Sequence, residues 1–125
     1  MDKHKKISML YFYTRDEMLR VDLRRVGYFQ ADRNYTDVYF LNGYRATLST
    51  NLMAIEQMLD DDRRKGRTIP FVRSGRSLSV NLSCLIHINV PKQEIVLYDM
   101  QSPCVLKVTV KKEALKKLKD RYTQK

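Results

Sequence analysis

Short apolar runs broken at close intervals by polar turns cover most of this chain, a pattern that favours strands over long helices. KISMLYFY (6–13) and MLRV (18–21) flank the polar TRDE and predict two strands joined as a hairpin. GYFQAD (27–32) and YTDVYF (35–40), rich in aromatic and β-branched residues, predict two more. Asn42-Gly43 follows. This pair tolerates positive φ, so it predicts a type I′ turn that pairs YTDVYF with YRATLS at 44–49.

The spacing changes at residue 52. Leu52, Ile55 and Leu59, with Met58 beside them, recur at helical intervals, and Thr50 or Asn51 is placed to cap them. This helix should lay one face on a sheet and end near Asp60-Asp61-Asp62. Acids there oppose the helix dipole, and the Arg63-Arg64-Lys65 that follows partly compensates. After Pro70 come FVR, CLIHI (84–88), EIVLYDM (94–100) and CVLKVTV (104–110), with turns around Pro91 and Pro103. The closing segment predicts a basic helix over about 111–123, with Ala114, Leu115, Leu118 and Tyr122 as its apolar stripe. The expected fold is mainly β, small antiparallel sheets in a meander with one central α-helix and a C-terminal helix. No internal repeat is visible, and no pair of closely spaced helices suggests a helix-turn-helix reader.

A chain of 125 residues suits a single domain, 1–125. The run ISMLYFY is too short to span a bilayer and lacks a cleavage site, so a cytoplasmic protein without membrane contact is expected. In a reducing compartment Cys84 and Cys104, far apart and in apolar stretches, are expected as small buried residues rather than a disulfide. The two sequons, at Asn34 and Asn81, then carry no glycan.

Charge narrows the function. Lys and Arg number 24 against 14 acids, for a net +10, a surplus that suits a polyanionic partner; a solvated basic face or an acidic membrane surface is the other reading. The surplus is concentrated late: from residue 105 onward Lys107, Lys111, Lys112, Lys116, Lys117, Lys119, Arg121 and Lys125 face only Glu113 and Asp120. Catalysis finds little support. There is no nucleophile elbow, no phosphate loop and no cluster of metal ligands, and the two histidines read as a terminal residue (His4) and a strand residue (His87). No enzyme activity, cofactor, metal or small-molecule substrate is expected.

Three polar segments interrupt the strands. The first, Asp32-Arg33-Asn34-Tyr35-Thr36, gathers a cation, an amide, a phenol and a hydroxyl at the mouth of a hairpin; such groups donate to phosphates or reach base edges, though Asp and Asn also suit an ordinary turn. In the second, Arg73-Ser74-Gly75-Arg76-Ser77, glycine permits close backbone approach and two arginines offer forked donors. Pairing of those arginines with acids elsewhere is the competing reading. The third, Thr109-Val110-Lys111-Lys112, sets lysines where a helix N-terminus prefers acids, and a bound anion would compensate.

Taken in order, these stretches resemble the LytTR family of bacterial DNA-binding domains across about residues 6–118. The most specific piece is F-[VI]-R-x-x-R-S-x-x-V-N, present as Phe71, Val72, Arg73, Arg76, Ser77, Val80 and Asn81, with Asn34-Tyr35 and Asn42-Gly43 upstream at the expected places. The resemblance implies small sheets around one helix, and sequence-specific reading of double-stranded DNA by loops between strands. Those loops would be Arg33 to Thr36, Arg73 to Ser77 (including Ser74), and Thr109 to Lys112. Gly75 stands where relatives often carry His, and Lys111 and Lys112 where they often carry Arg, so the third loop is expected to hold phosphate more than to choose bases. Relatives usually follow a receiver domain, which implies a stand-alone transcriptional regulator or a domain from a longer chain, with no phosphoacceptor among Asp60 to Asp62. The alternative is a protein-interaction module that controls a partner regulator or a second copy of itself by docking the stripe Leu115, Leu118 and Tyr122.

Overall fold

The computed structural model describes residues 8–66, 69–101 and 104–123. Lys6 and Ile7 of the first expected strand, His4, the turn at Pro103 and Lys125 lie outside them.

Strands β1 (Met9–Tyr13) and β2 (Met18–Asp22) pair as the expected hairpin. Its turn is held by Thr14, whose hydroxyl accepts from the backbone N–H groups of Asp16 and Glu17. A 3-10 turn at Leu23–Arg25, capped by the Asp22 carboxylate, leads into β3 (Val26–Asp32). Hydrogen bonds from Arg24 hold the Asp22 carboxyl below the usual carboxylate range. Then come β4 (Tyr35–Phe40), β5 (Arg45–Leu48), α1 (Leu52–Arg64), β6 (Phe71–Arg73) and β7 (Leu78–Asn81). A second 3-10 turn, β8 (Leu85–Asn89), β9 (Glu94–Tyr98), β10 (Val105–Thr109) and α2 (Lys112–Thr123) complete the chain. All pairings are antiparallel, in a two-stranded sheet, a five-stranded sheet of order β5-β4-β3-β7-β6 and a three-stranded sheet of order β10-β9-β8.

The five-stranded sheet is the middle layer. Alternation along β3 sends Phe29 to one face and Tyr28 to the other. On the Phe29 side, Val26, Val38 and Leu48 meet Leu52 and Ile55 of α1 and Val21 of the first hairpin. On the Tyr28 side, Leu78 and Val80 meet Ile95, Leu97 and Val108 of the small sheet and Leu115 and Leu118 of α2. The layers close tightly at Gly27, where a Cβ would lie 2.7 Å from Leu106 Cδ1 and 3.3 Å from Leu97 Cδ1, so any side chain there would require the Leu106 side chain to move.

Three expectations change. The β4–β5 connection is not a type I′ turn. Gly43 N–H donates to Phe40 O, Phe40 N–H donates to Tyr44 O, and Gly43 takes φ +95° while Asn42 stays on the ordinary side. This is the three-residue loop that ends in a glycine bulge. Burial decides it: the extra residue, Leu41, is 3% exposed and sits in the core, with its N–H on Arg25 O. The central helix, capped by Asn51, runs on through the three aspartates to Arg64, because Asp60 pairs with Arg63 (2.6 Å) and Arg64 (3.1 Å) within the last turn. Finally, the α2 stripe is not a free docking face. Leu115 and Leu118 are buried in the chain's own core, and of the stripe only Tyr122 is exposed.

Both cysteines are free thiols. Cys84 is buried, and burial pushes its thiol up to about 11, whereas Cys104 is half-buried with its Sγ 3.2 Å from Asn42 O.

Candidate nucleic-acid interface

Strand register brings the first two polar segments together. Asp32 pairs with Tyr35, so β3 and β4 are joined by the two-residue turn Arg33-Asn34. Gln30, three positions before that turn, pairs with Leu78, the first residue of β7. Ala31 N–H donates to Ser77 O at 2.8 Å. The turns at 33–34 and 74–77 therefore share one end of the five-stranded sheet. Across a groove from the second turn lie Thr109, Val110 and Lys111, the passage from β10 into α2. The fold thus brings the second and third segments to one groove, with the first turn at the adjoining strand end.

The side chains within these segments divide into those turned inward and those presented to solvent. Arg33, with φ 60°, is the first central residue of its turn while Asn34 stays on the ordinary side, the sign pattern of a II′ turn whose first position favours glycine. Both residues are exposed, and Tyr35 is 51% exposed. Thr36 is fully buried; its hydroxyl donates to Thr50 O at 2.6 Å and ties the hairpin to the entrance of α1.

Arg73 is held from two sides. Its guanidinium makes a forked pair with Glu56 of α1, at 2.8 and 2.6 Å, and donates a third hydrogen bond to Arg76 O at 2.6 Å. The Glu56 pairing raises the Arg73 pKa further. The reading in which an arginine of this turn pairs with an acid elsewhere is thus correct for Arg73. Ser74 N–H donates to Leu78 O, closing the turn, and Gly75 takes φ +82°. Ser74 itself is 4% exposed, and Ser77 is half-buried. Arg76 is exposed, and its guanidinium has no partner among the described residues. Lys111 and Lys112 are exposed at the start of α2.

Inspection of the sequence missed three contributors. Glu56 gives no local signal, since its partner is 17 residues away on another element. Lys117 and Arg121, both lining the groove, were legible: with Glu113 they repeat at i, i+4 and i+8, which stacks them on one face of α2 beside Ala114 and Leu118. Among the described residues no cluster of His, Cys, Asp or Glu could hold a metal ion, and no helix is long and apolar enough to cross a membrane.

Comparison with known proteins identifies the family and the fold. The family model for the LytTr DNA-binding domain matches residues 16–123. The chain belongs to the LytTR family. A solved LytTr DNA-binding domain from Bacillus cereus shares the fold with a TM-score of 0.63 at 20% identity, over 94% of this chain and 98% of that one. No curated protein matches the chain. The architecture expected from the sequence, small antiparallel sheets with a central and a C-terminal helix, is the one observed, and it matches the fold of that solved domain.

Proposed function

We propose that this LytTR domain is a sequence-specific reader of double-stranded DNA in a bacterial transcriptional regulator, and that it reads with the turns at one end of its central sheet. The observation that carries this reading is the grouping of Arg33, Asn34, Tyr35, Arg76, Lys111 and Lys112, exposed together from three separate parts of the chain. Their chemistry is divided as DNA recognition requires. Arg76 offers a fork suited to the N7 and O6 acceptors of guanine, and Asn34 a donor–acceptor pair suited to adenine, while Lys111, Lys112 and Arg33 supply charge to the phosphates. Thr36, buried, and Arg73, at the surface, act as positioning residues. Thr36 fixes the first turn to α1, and Arg73 fixes the second by gripping both Glu56 and the carbonyl of Arg76.

The test is titration of a labelled random-sequence duplex at about 50 and 200 mM salt, followed by sequencing of the bound fraction. Steeply salt-dependent binding that enriches one motif is the expected result. Binding that enriches nothing would remove the base-reading role, and absence of binding at the lower salt would remove the DNA reading.

A further inference from the structure

The groove between the 73–77 turn and α2 has a chemistry that phosphate contacts leave unused. It encloses about 850 Å³, within the range of small-molecule sites. Its floor is apolar, formed by Val72, Leu78, Val110, Ala114 and Leu118. Around the rim stand Arg76, Lys111, Lys117 and Arg121, with Glu113 as the only acid lining it among the described residues; Arg73, also in the lining, is already paired with Glu56. In the wall is Ser74, 4% exposed, whose hydroxyl is the one buried side-chain oxygen or nitrogen among the described residues with no hydrogen-bond partner. Native proteins leave few such groups unpaired, because a buried hydroxyl without a partner forfeits its hydration for nothing. A DNA phosphate would satisfy the cationic rim and serve the hydroxyl as well as any other phosphate, but it would leave the apolar floor wet.

We propose that this groove binds a small amphipathic organic anion: an aromatic or branched apolar body seated on Val110, Ala114 and Leu118, with a phosphate or carboxylate held by the rim cations and hydrogen-bonded by Ser74. Because Arg76 and Lys111 belong to both, ligand and duplex exclude one another, which makes the site a means of switching the domain off DNA. The exclusion rests on the DNA reading above; the ligand site does not.

The experiment is a titration of the isotope-labelled full chain, followed by amide NMR, with 1-naphthyl phosphate and 1-naphthoate in separate arms. Inorganic phosphate and neutral 1-naphthalenemethanol serve as half-ligands. The expected result is saturable shifts centred on Val72, Ser74, Ala114 and Leu118 below about 10 mM for at least one naphthyl anion, with each half-ligand at least about tenfold weaker. The stronger arm identifies the phosphate or the carboxylate as the preferred headgroup. Ser74→Ala should weaken that arm about fivefold while leaving the melting temperature equal or higher, since it deletes an unpaired hydroxyl. Lys117→Glu, on an exposed position, should weaken it independently of any change at Ser74. Shifts scattered over surface lysines, an equal response to inorganic phosphate alone, or indifference to both substitutions would overturn the site. No DNA is present in this titration, so its failure with duplex binding intact removes the groove ligand alone. Success without duplex binding removes only the exclusion.

Discussion

The two turns at the end of the central sheet reach the same outcome by different means. In the 33–36 turn the inward residue is Thr36, whose buried hydroxyl binds Thr50 O, and the presented residues are Arg33, Asn34 and Tyr35. In the 73–77 turn the bracing residue is Arg73, clamped to Glu56 and to the Arg76 carbonyl, and the presented residue is Arg76. One turn is fixed by a neutral hydrogen bond in a dry site, the other by a charged fork at the surface, with side-chain exposure of 38% for Arg73 and 31% for Glu56. Polar residues crowded into a functional turn are therefore not equivalent. Some hold the backbone so that their neighbours can be offered with less loss of backbone conformational entropy on binding.

The sharpest way to break this division is Arg76→Ala. If Arg76 reads a base, its loss costs about 1–3 kcal/mol of duplex affinity, a factor of about 5 to 150, and relaxes preference at one or two base pairs. Thermal stability should move by less than about 0.5 kcal/mol, since the side chain has no partner among the described residues. Lys111→Ala is the control within the same surface: a smaller, sequence-independent loss and a salt slope lowered by about one. Equal weakening of all sequences by Arg76→Ala would reassign that arginine to phosphate.

Next in size is Thr36→Val, which keeps the shape but removes the hydroxyl donated to Thr50 O. With the site fully buried, the cost is about 1–2 kcal/mol of folding stability, read by denaturant midpoint at unchanged m-value. Duplex affinity of the folded protein should fall uniformly or not at all. A change in base preference would mean that the first turn had shifted as a unit.

These residues also mark what could be read in advance. Period-two alternation and turn chemistry located the strands, since both are local and strong. The three turns stood out because arginine, asparagine and lysine interrupt apolar runs. The inward or outward fate of each polar residue was not legible. It depends on partners such as Thr50 and Glu56, 14 and 17 residues distant, which meet their partners only after the sheet and α1 have packed. The α2 stripe illustrates the same limit: an apolar helix face looks alike whether it covers its own core or a neighbour's, and only the position of the small sheet decides that Leu115 and Leu118 face inward. Asn42-Gly43 announced a turn, but the burial of Leu41 chose the loop length.

The clamp is the weaker of the two braces and is best measured as a coupling. In a double-mutant cycle of Glu56→Ala and Arg73→Ala, the pair should show about 0.5–1 kcal/mol, the upper part of the range for exposed ion pairs because the geometry is a forked one. Raised salt should shrink this coupling without abolishing it, as the hydrogen bonds remain. If instead Glu56→Ala leaves the duplex preference intact while Arg73→Ala alters it, Arg73 touches DNA directly and the division drawn between Arg73 and Arg76 fails.

The smallest expected effect tests the backbone of the first turn. Arg33 holds φ 60°, a region that costs a side-chain-bearing residue of order 1 kcal/mol and glycine almost nothing. Arg33→Gly relieves that strain but loosens the unfolded chain, so the net gain in stability is no more than about 0.5 kcal/mol. Arg33→Ala keeps the strain and gains nothing. Both remove the same cation, so both should weaken duplex binding alike and lower the salt slope by about one. Unequal responses in stability with equal responses in binding would place the value of Arg33 in its charge and its cost in its backbone. Equal responses in both would mean that the turn relaxes around any residue, and that the strained φ has no part in presenting Asn34 and Tyr35.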